Sequence, residues 1–155
     1  MLHLPGQVAC YPIIPLDLLG LPPARYLEEL QSITIELLKT FHIIGTSDPN
    51  RPGVRVSGRR VAHVGVAIRE RITSFGLIIN VEPKLELFHE VMCDGDPAPM
   101  TSLQRESSTL VRVQAVRQRL LEQIPAHLGF DRVSIFHNYP STMNRSKLHA
   151  FAHRS

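Results

Sequence analysis

The sequence predicts an α+β, or mixed α/β, domain in which helices pack against one sheet. Three observations carry this. Residues 60–68 (Arg60-Val61-Ala62-His63-Val64-Gly65-Val66-Ala67-Ile68) are apolar at odd and even positions alike, as in a strand covered on both faces. After the charged turn Arg69-Glu70-Arg71, residues 72–81 are rich in β-branched and apolar side chains and read as its hairpin partner. Two further segments, beginning near Pro23 and near Ser107, repeat apolar residues at helical spacing.

Taken in order, the chain opens with a Pro5-Gly6 turn that runs straight into a β-type segment over 8–14, an abrupt start that predicts missing upstream sequence. Residues 15–23 carry Gly20 and paired prolines and are expected to be loop. Pro23 suits a first helical position, and Leu27, Leu30, Ile33, Leu37, Leu38 and Phe41 form a core-facing stripe behind it. Residues 42–52 read as a connection, Val54-Arg55-Val56 as a short strand, and Ser57-Gly58 as the tight turn into the buried strand. Glu82-Pro83 breaks the sheet, and 85–91 reads as a single helical turn leading to Cys93. Residues 94–99 form an irregular loop with two prolines and a glycine. A second helix is expected over 107–126, with Leu110, Val113, Leu120, Leu121 and Ile124 facing the core. Residues 133–136 read as a late strand, and the tail from Tyr139 as loosely held.

A chain of 155 residues is about one domain and long enough for a real core. The N-terminus lacks the basic-then-apolar pattern of a signal peptide, and Cys10 and Cys93 lie far apart in sequence. These features predict a cytoplasmic protein with reduced thiols, a disulfide between the two being the alternative. The net charge of +3 is carried by scattered arginines, which argues against a nucleic-acid partner. Neither His-Glu-x-x-His nor Cys-x-x-Cys occurs, so neither a metal nor another cofactor is expected, and no apolar run reaches membrane-spanning length.

Chemistry concentrates between Gly58 and Leu103. Gly65 and Gly76 interrupt strands, which marks either tight packing or the close approach of a ligand. Cys93 is either a small buried apolar residue or a nucleophile in front of an irregular loop. Arg60 is either a solvated hairpin residue or a functional cation, and His63 either a hydrogen-bonded core histidine or a proton carrier. His89 and Glu90 stand too close to Cys93 in sequence for one helical turn to converge them on it as a hydrolase set.

Four segments, in order, resemble the lipoyl (octanoyl) transferase family within the biotin/lipoate protein ligase fold. His3-Leu4-Pro5-Gly6-Gln7-Val8-Ala9-Cys10-Tyr11-Pro12 is similar to that family's His-Gly-Pro-Gly-Gln segment running into Tyr-Pro. Arg51-Pro52-Gly53-Val54, followed by residues 58–66, is similar to its Arg-Pro-Gly-Val and Gly-x-Lys-Ile-Ala-x-Ile-Gly-Val segments. Phe75-Gly76-Leu77-Ile78-Ile79-Asn80-Val81 resembles His-Gly-Leu-Ala-Leu-Asn-Val, and Cys93 stands eight residues before Thr101 of Met100-Thr101-Ser102-Leu103, like the family nucleophile before Val-Thr-Ser-Leu. The resemblance implies a single domain over 1–155 with a biotin/lipoate protein ligase-like sheet, lacking the family's N-terminal part. It also implies an octanoyltransferase that takes an octanoyl group from acyl carrier protein onto a cysteine. From there the group passes to a lysine on lipoyl domains of 2-oxoacid dehydrogenases or the glycine cleavage protein.

Carried over by position, Cys93 would form the thioester, and Arg60 would stand where the family has lysine. His3, His63, Val64, Gly65, Gly76, Leu77 and Ile78 would line the acyl pocket. The chain departs from the pattern at Arg60, at Phe75 for histidine, at Met92 for proline and at Asp94 for glycine, and the upstream Arg-Gly-Gly segment is absent. Arginine holds a fixed charge but does not relay protons, so His63 or His89 would have to do so. Asp94 opposes the cation by raising the thiol pKa. The departures also admit a reading from another class, a non-catalytic acyl- or lipoyl-domain-binding homologue. An adenylating ligase is disfavoured by the cysteine and by the absence of a nucleotide-phosphate loop.

Overall fold

The computed structural model describes residues 3–48, 51–88 and 98–132. Cys93 with His89, Glu90, Met92 and Asp94, the expected strand over 133–136 and the tail from Tyr139 lie outside the described residues. Five strands form one sheet: β1 Gln7–Cys10, β2 Thr46–Asp48, β3 Arg51–Val56, β4 Arg59–Arg69 and β5 Ile72–Asn80. Their order is β1-β5-β4-β3-β2, with every neighbour antiparallel. Four helices, α1 Leu16–Leu19, α2 Pro23–Thr40, α3 Leu103–Glu106 and α4 Val113–His127, and a 3-10 turn over Leu85–Phe88 complete the described chain.

The apolar hairpin is the middle of the sheet, as its composition predicts. Burial on both faces holds only for the first half of β4, however: Val61, Ala62 and Val64 are buried, whereas Ala67, Ile68 and Arg69 are exposed. The reason is pairing, since the register of β3 with β4 ends at Ala62 and β5 alone accompanies the rest.

Helix α2 starts at Pro23, whose fixed φ and missing N–H suit a first turn. Leu30, Ile33, Leu37 and Leu38 of its stripe are fully buried together with Tyr26, and Leu27 and Phe41 pack at the margin. Each such side chain contributes about 1.5–3 kcal/mol through burial. They meet Val54, Val56, Ala62, Val64, Leu77 and Ile79 of the sheet. His127, in the last turn of α4, ties that helix to α2 through Glu29, with Nε2 and Oε2 2.7 Å apart.

Several expectations are corrected. The first β segment ends at Cys10 rather than residue 14, because Pro12 and Pro15 cannot donate to a ladder. The stretch 15–23 holds a short helix, α1, ended by Gly20 in the left-handed region at φ 62°, and the connection 42–52 contains β2 and the start of β3. The expected helix over 107–126 begins only at Val113, as α4; residues 107–112 are an extended link from the short α3 that precedes them. Ser107 Oγ accepts from Thr109 N at 3.2 Å, offering the backbone a local alternative to the helix, and Gln104 Oε1 takes Val111 N at 2.9 Å. Leu110 is consequently 67% exposed and Leu121 also faces outward, leaving Val116, Leu120 and Ile124 as the buried stripe of α4. Among the described residues, no helix is long and apolar enough to cross a membrane.

Candidate active site

The two faces of the sheet differ in chemistry. Val54 and Val56 belong to the core under α2, so Arg55 between them points to the opposite face. Arg60 is the cross-strand partner of Arg55 and shares that face. Ala62 pairs with Val54 and Ile79 on the helix side, so His63 beside it turns away with its partner Ile78. In a regular strand Arg60 and His63, three residues apart, would point to opposite faces. The register shift between Val54 and Arg55 leaves Val61 as an extra residue on β4, and this bulge brings both onto one face.

Arg60 is not a solvated hairpin residue: it is 4% exposed, and Arg55 opposite it 9%. Like charges directly opposed across strands are costly, so two buried guanidiniums at this place depend on the groups packed around them. The backbone of Arg60 holds the chain that returns from segment 89–97. Its N–H donates to Pro99 O at 2.8 Å, and its carbonyl accepts from Thr101 N at 2.9 Å, in a parallel bridge with Met100.

Gly65 and Gly76 lie directly opposite each other. A Cβ on Gly65 would stand 2.9 Å from His63 Nε2, so the missing side chain makes room for the imidazole. A Cβ on Gly76 would stand 2.5 Å from Cys10 O and 2.7 Å from Pro12 Cδ, so this glycine lets the end of β1 approach. Val64 and Leu77 are fully buried in the helix-side core, which leaves only their backbone for the other face, while Ile78, 3% exposed, does face it. His3 is exposed and sits 3.0 Å through Nε2 from Tyr11 Oη; the Tyr11 ring in turn meets Phe75 edge-on with centroids 5.9 Å apart. The structure thus groups Arg60, His63, Gly65 and Ile78, and sets His3 in an aromatic row. Phe75 adopts φ 63°, a left-handed conformation uncommon for an aromatic residue.

A hydrogen-bond path that the sequence did not reveal joins all four resembling segments. Gln7 Oε1 accepts from Leu4 N at 2.6 Å, and Gln7 Nε2 donates to Asn80 Oδ1 at 2.8 Å. Asn80 Nδ2 donates to Thr101 O at 3.1 Å. Thr101 Oγ1 donates to Glu106, whose two carboxylate oxygens also accept from Arg59 Nε and Nη2 at 2.9 Å each. Burial alone would raise the Glu106 pKa, but the bonds from Arg59 and Thr101 and the charges of Arg59 and Arg105 outweigh it and hold the carboxyl below its ordinary range. Arg55, Arg59, Asn80 and Glu106 were not singled out beforehand. The signal that could have found two of them is the polar Asn80 inside an apolar strand and the Ser102-x-x-Arg105-Glu106 helix start. Cys10 is a free thiol in β1 whose pKa burial pushes up, the opposite of what a thiolate nucleophile needs.

Residues 1–125 match the family model described as the lipoyl protein ligase A/B catalytic domain. The octanoyltransferase of Nitratidesulfovibrio vulgaris is 32% identical over 126 residues, which make up 80% of this chain and 58% of that protein. The chain therefore spans less than two thirds of the length of the curated relatives it matches. Among solved structures, the biotin protein ligase of Aquifex aeolicus superposes with a TM-score of 0.62 at 16% identity, covering 79% of this chain and 53% of that one. A bi-partite lipoate protein ligase of Thermoplasma acidophilum, studied with its E2 lipoyl domain, gives 0.57 at 10% identity, covering 79% and 49%. These structural likenesses show a shared fold.

Proposed function

We propose a function from one premise: the chain belongs to the lipoyl protein ligase A/B catalytic domain family. In this reading it is an acyltransferase of the octanoyl-transferring kind, working in the cytoplasm. The Cys93 thiolate attacks the octanoyl thioester of acyl carrier protein; a new carbon–sulfur bond forms, the old one breaks, and the carrier's sulfur leaves and takes up a proton. A lysine amine of a lipoyl domain, on a 2-oxoacid dehydrogenase or the glycine cleavage protein, then receives the octanoyl group as an amide. The octanoyltransferase relative and the archaeal ligase with its lipoyl domain support this choice of group and acceptor.

The observation that carries the reading is the buried Arg60 bonded through its backbone to Pro99 and Thr101, on the chain that leads back from the Cys93 segment. A permanent cation at that place favours the thiolate. His63, Gly65 and Ile78 would line the acyl pocket on that face, with the backbone of Val64 and Leu77 beside them, and Gly76 and the exposed His3 would stand at its margin. Incubation with octanoyl-acyl carrier protein followed by mass spectrometry should find one octanoyl group on Cys93 and none in Cys93→Ser. An unmodified wild-type thiol would overturn the reading.

A second reading, a non-catalytic acyl- or lipoyl-domain binder, is favoured by Arg60 and by Phe75, which replace the family's lysine and histidine. It requires octanoate or lipoyl-domain binding that is indifferent to Cys93→Ser.

A further inference from the structure

Strand β4 outruns its neighbour. Pairing with β3 ends at Ala62 while the ladder with β5 continues to Arg69, so among the described residues no strand accompanies the β3 side of residues 64–68.

Which backbone groups point to that side follows from the hairpin turn. Glu70 and Arg71, at φ 50° and 61°, are the two-residue loop of a type I′ turn closed by the facing residues Arg69 and Ile72. The closing residues bond to each other and the ladder alternates from there, so Arg69, Ala67 and Gly65 direct their N–H and C=O groups to β5. Val64, Val66 and Ile68 direct theirs the other way. The same alternation puts the Ala62 carbonyl on the β3 side, and there it lies, 2.6 Å from where a Cβ on Gly53 would stand.

Native sheet edges are blunted by charge, proline or a bulge. The run Val64-Gly65-Val66-Ala67-Ile68 carries none of these: the bulge of β4 lies earlier, at Val61, and the next charge is Arg69. Ile68 is 38% exposed and Val66 half-buried, on the face that the buried Val64 shares with the core.

This segment fits itself. An antiparallel copy related by a two-fold axis at Ala67 sets Val66 opposite Ile68 of the second copy, and Ile68 opposite its Val66. Outward groups meet outward groups in that register, so each facing couple exchanges both N–H bonds while β-branched side chains pack across the ladder. The small Ala67 meets its own copy at the axis, where a large side chain would hold the strands apart. We propose that the outer edge of β4 is a self-pairing surface, through which two copies of this chain join into one continuous sheet centred on Ala67. The inference is independent of the acyl-transfer reading. A ladder this short buries well under the about 1,000 Å² of a stable interface, so the dimer is weak and forms as concentration rises.

Sedimentation velocity of the full chain from about 1 μM to about 1 mM spans the range of weak association. The mean mass is expected to climb from that of one chain towards that of two. Amide exchange locates the surface: the N–H groups of Val66 and Ile68 should exchange at least about threefold more slowly at the top of the series than at the bottom, and those of Gly65 and Ala67, already bonded to β5, should change less. Ile68→Pro removes an outward donor and leaves the bonds to β5 in place. Ile68→Lys sets an ammonium against Val66 of the second copy. Each is expected to weaken the dimer by about tenfold or more with an unchanged far-UV circular dichroism spectrum. A mean mass that stays at one chain throughout the series overturns the proposal. So does a dimer in which Val66 and Ile68 gain no protection, or one that Ile68→Lys leaves intact.

Discussion

Asn80 offers a test of how the four resembling segments are held together. It is 4% exposed, accepts from Gln7 and donates to the carbonyl of Thr101, a fully buried residue. Asn80→Ala leaves that carbonyl without its donor in a place water does not reach, a loss of about 1–3 kcal/mol. Gln7 is half-buried and can turn to solvent, so its lost bond adds only about 0.5–1 kcal/mol. The sum is about 1.5–4 kcal/mol, which at a typical urea dependence of about 2 kcal/mol per molar moves the unfolding midpoint down by about 1–2 M. Asn80→Asp should be worse than Asn80→Ala, because it keeps the acceptor for Gln7 but sets a carboxylate oxygen against the Thr101 carbonyl. Urea unfolding followed by far-UV circular dichroism measures all three proteins. A cost for Asn80→Ala below about 0.5 kcal/mol, the range of an ordinary surface change, would refute the structural role assigned to this path.

Two further outcomes follow from neighbouring geometry. Gly76→Ala must displace the Cys10 carbonyl and the Pro12 ring, now 2.5 and 2.7 Å from the new atom; backbone cannot yield cheaply, so β1 should separate from β5. Rapid amide exchange at Val8 and Cys10 would register it, and unchanged protection would refute it. For Glu106, the folded pKa lies below its ordinary value of 4.5, so the stability it supplies is fully present above that value and is lost as pH falls through the depressed one. Glu106→Gln should therefore be less stable than wild type at neutral pH, and the gap should close in acid; a gap that persists unchanged at low pH, by thermal unfolding, would contradict this.

What the sequence revealed and what it concealed divide along physical lines. The stripe of α2 was legible because its leucines repeat over many turns and Pro23 marks its start. The leucines around residue 110 misled because spacing alone cannot report that Ser107 and Thr109 satisfy the backbone locally. The short α1 and β2 carry too few residues for periodicity to speak. Within the site, the importance of the stretch from Arg60 to Gly65 was legible from apolar density and glycine placement. The partnership of Arg59 with Glu106, 47 residues away, depends on tertiary folding that no local pattern encodes. Nor does composition betray that Arg60 is enclosed rather than solvated, since that follows from Arg55 across the ladder and the return of residues 99–101 alongside.

The inserted Val61 sets a rule for how this surface can change over generations. Single-letter exchanges at 60 or 63 alter the chemistry of that face while leaving the register of the strand intact. Losing the codon for Val61 does something different: it removes the bulge itself, and Arg60 and His63 become alternate residues of a regular strand, still on one face. Descendants of this chain can therefore shed the extra residue and keep both side chains where they are, giving up only the added local twist that a bulge brings.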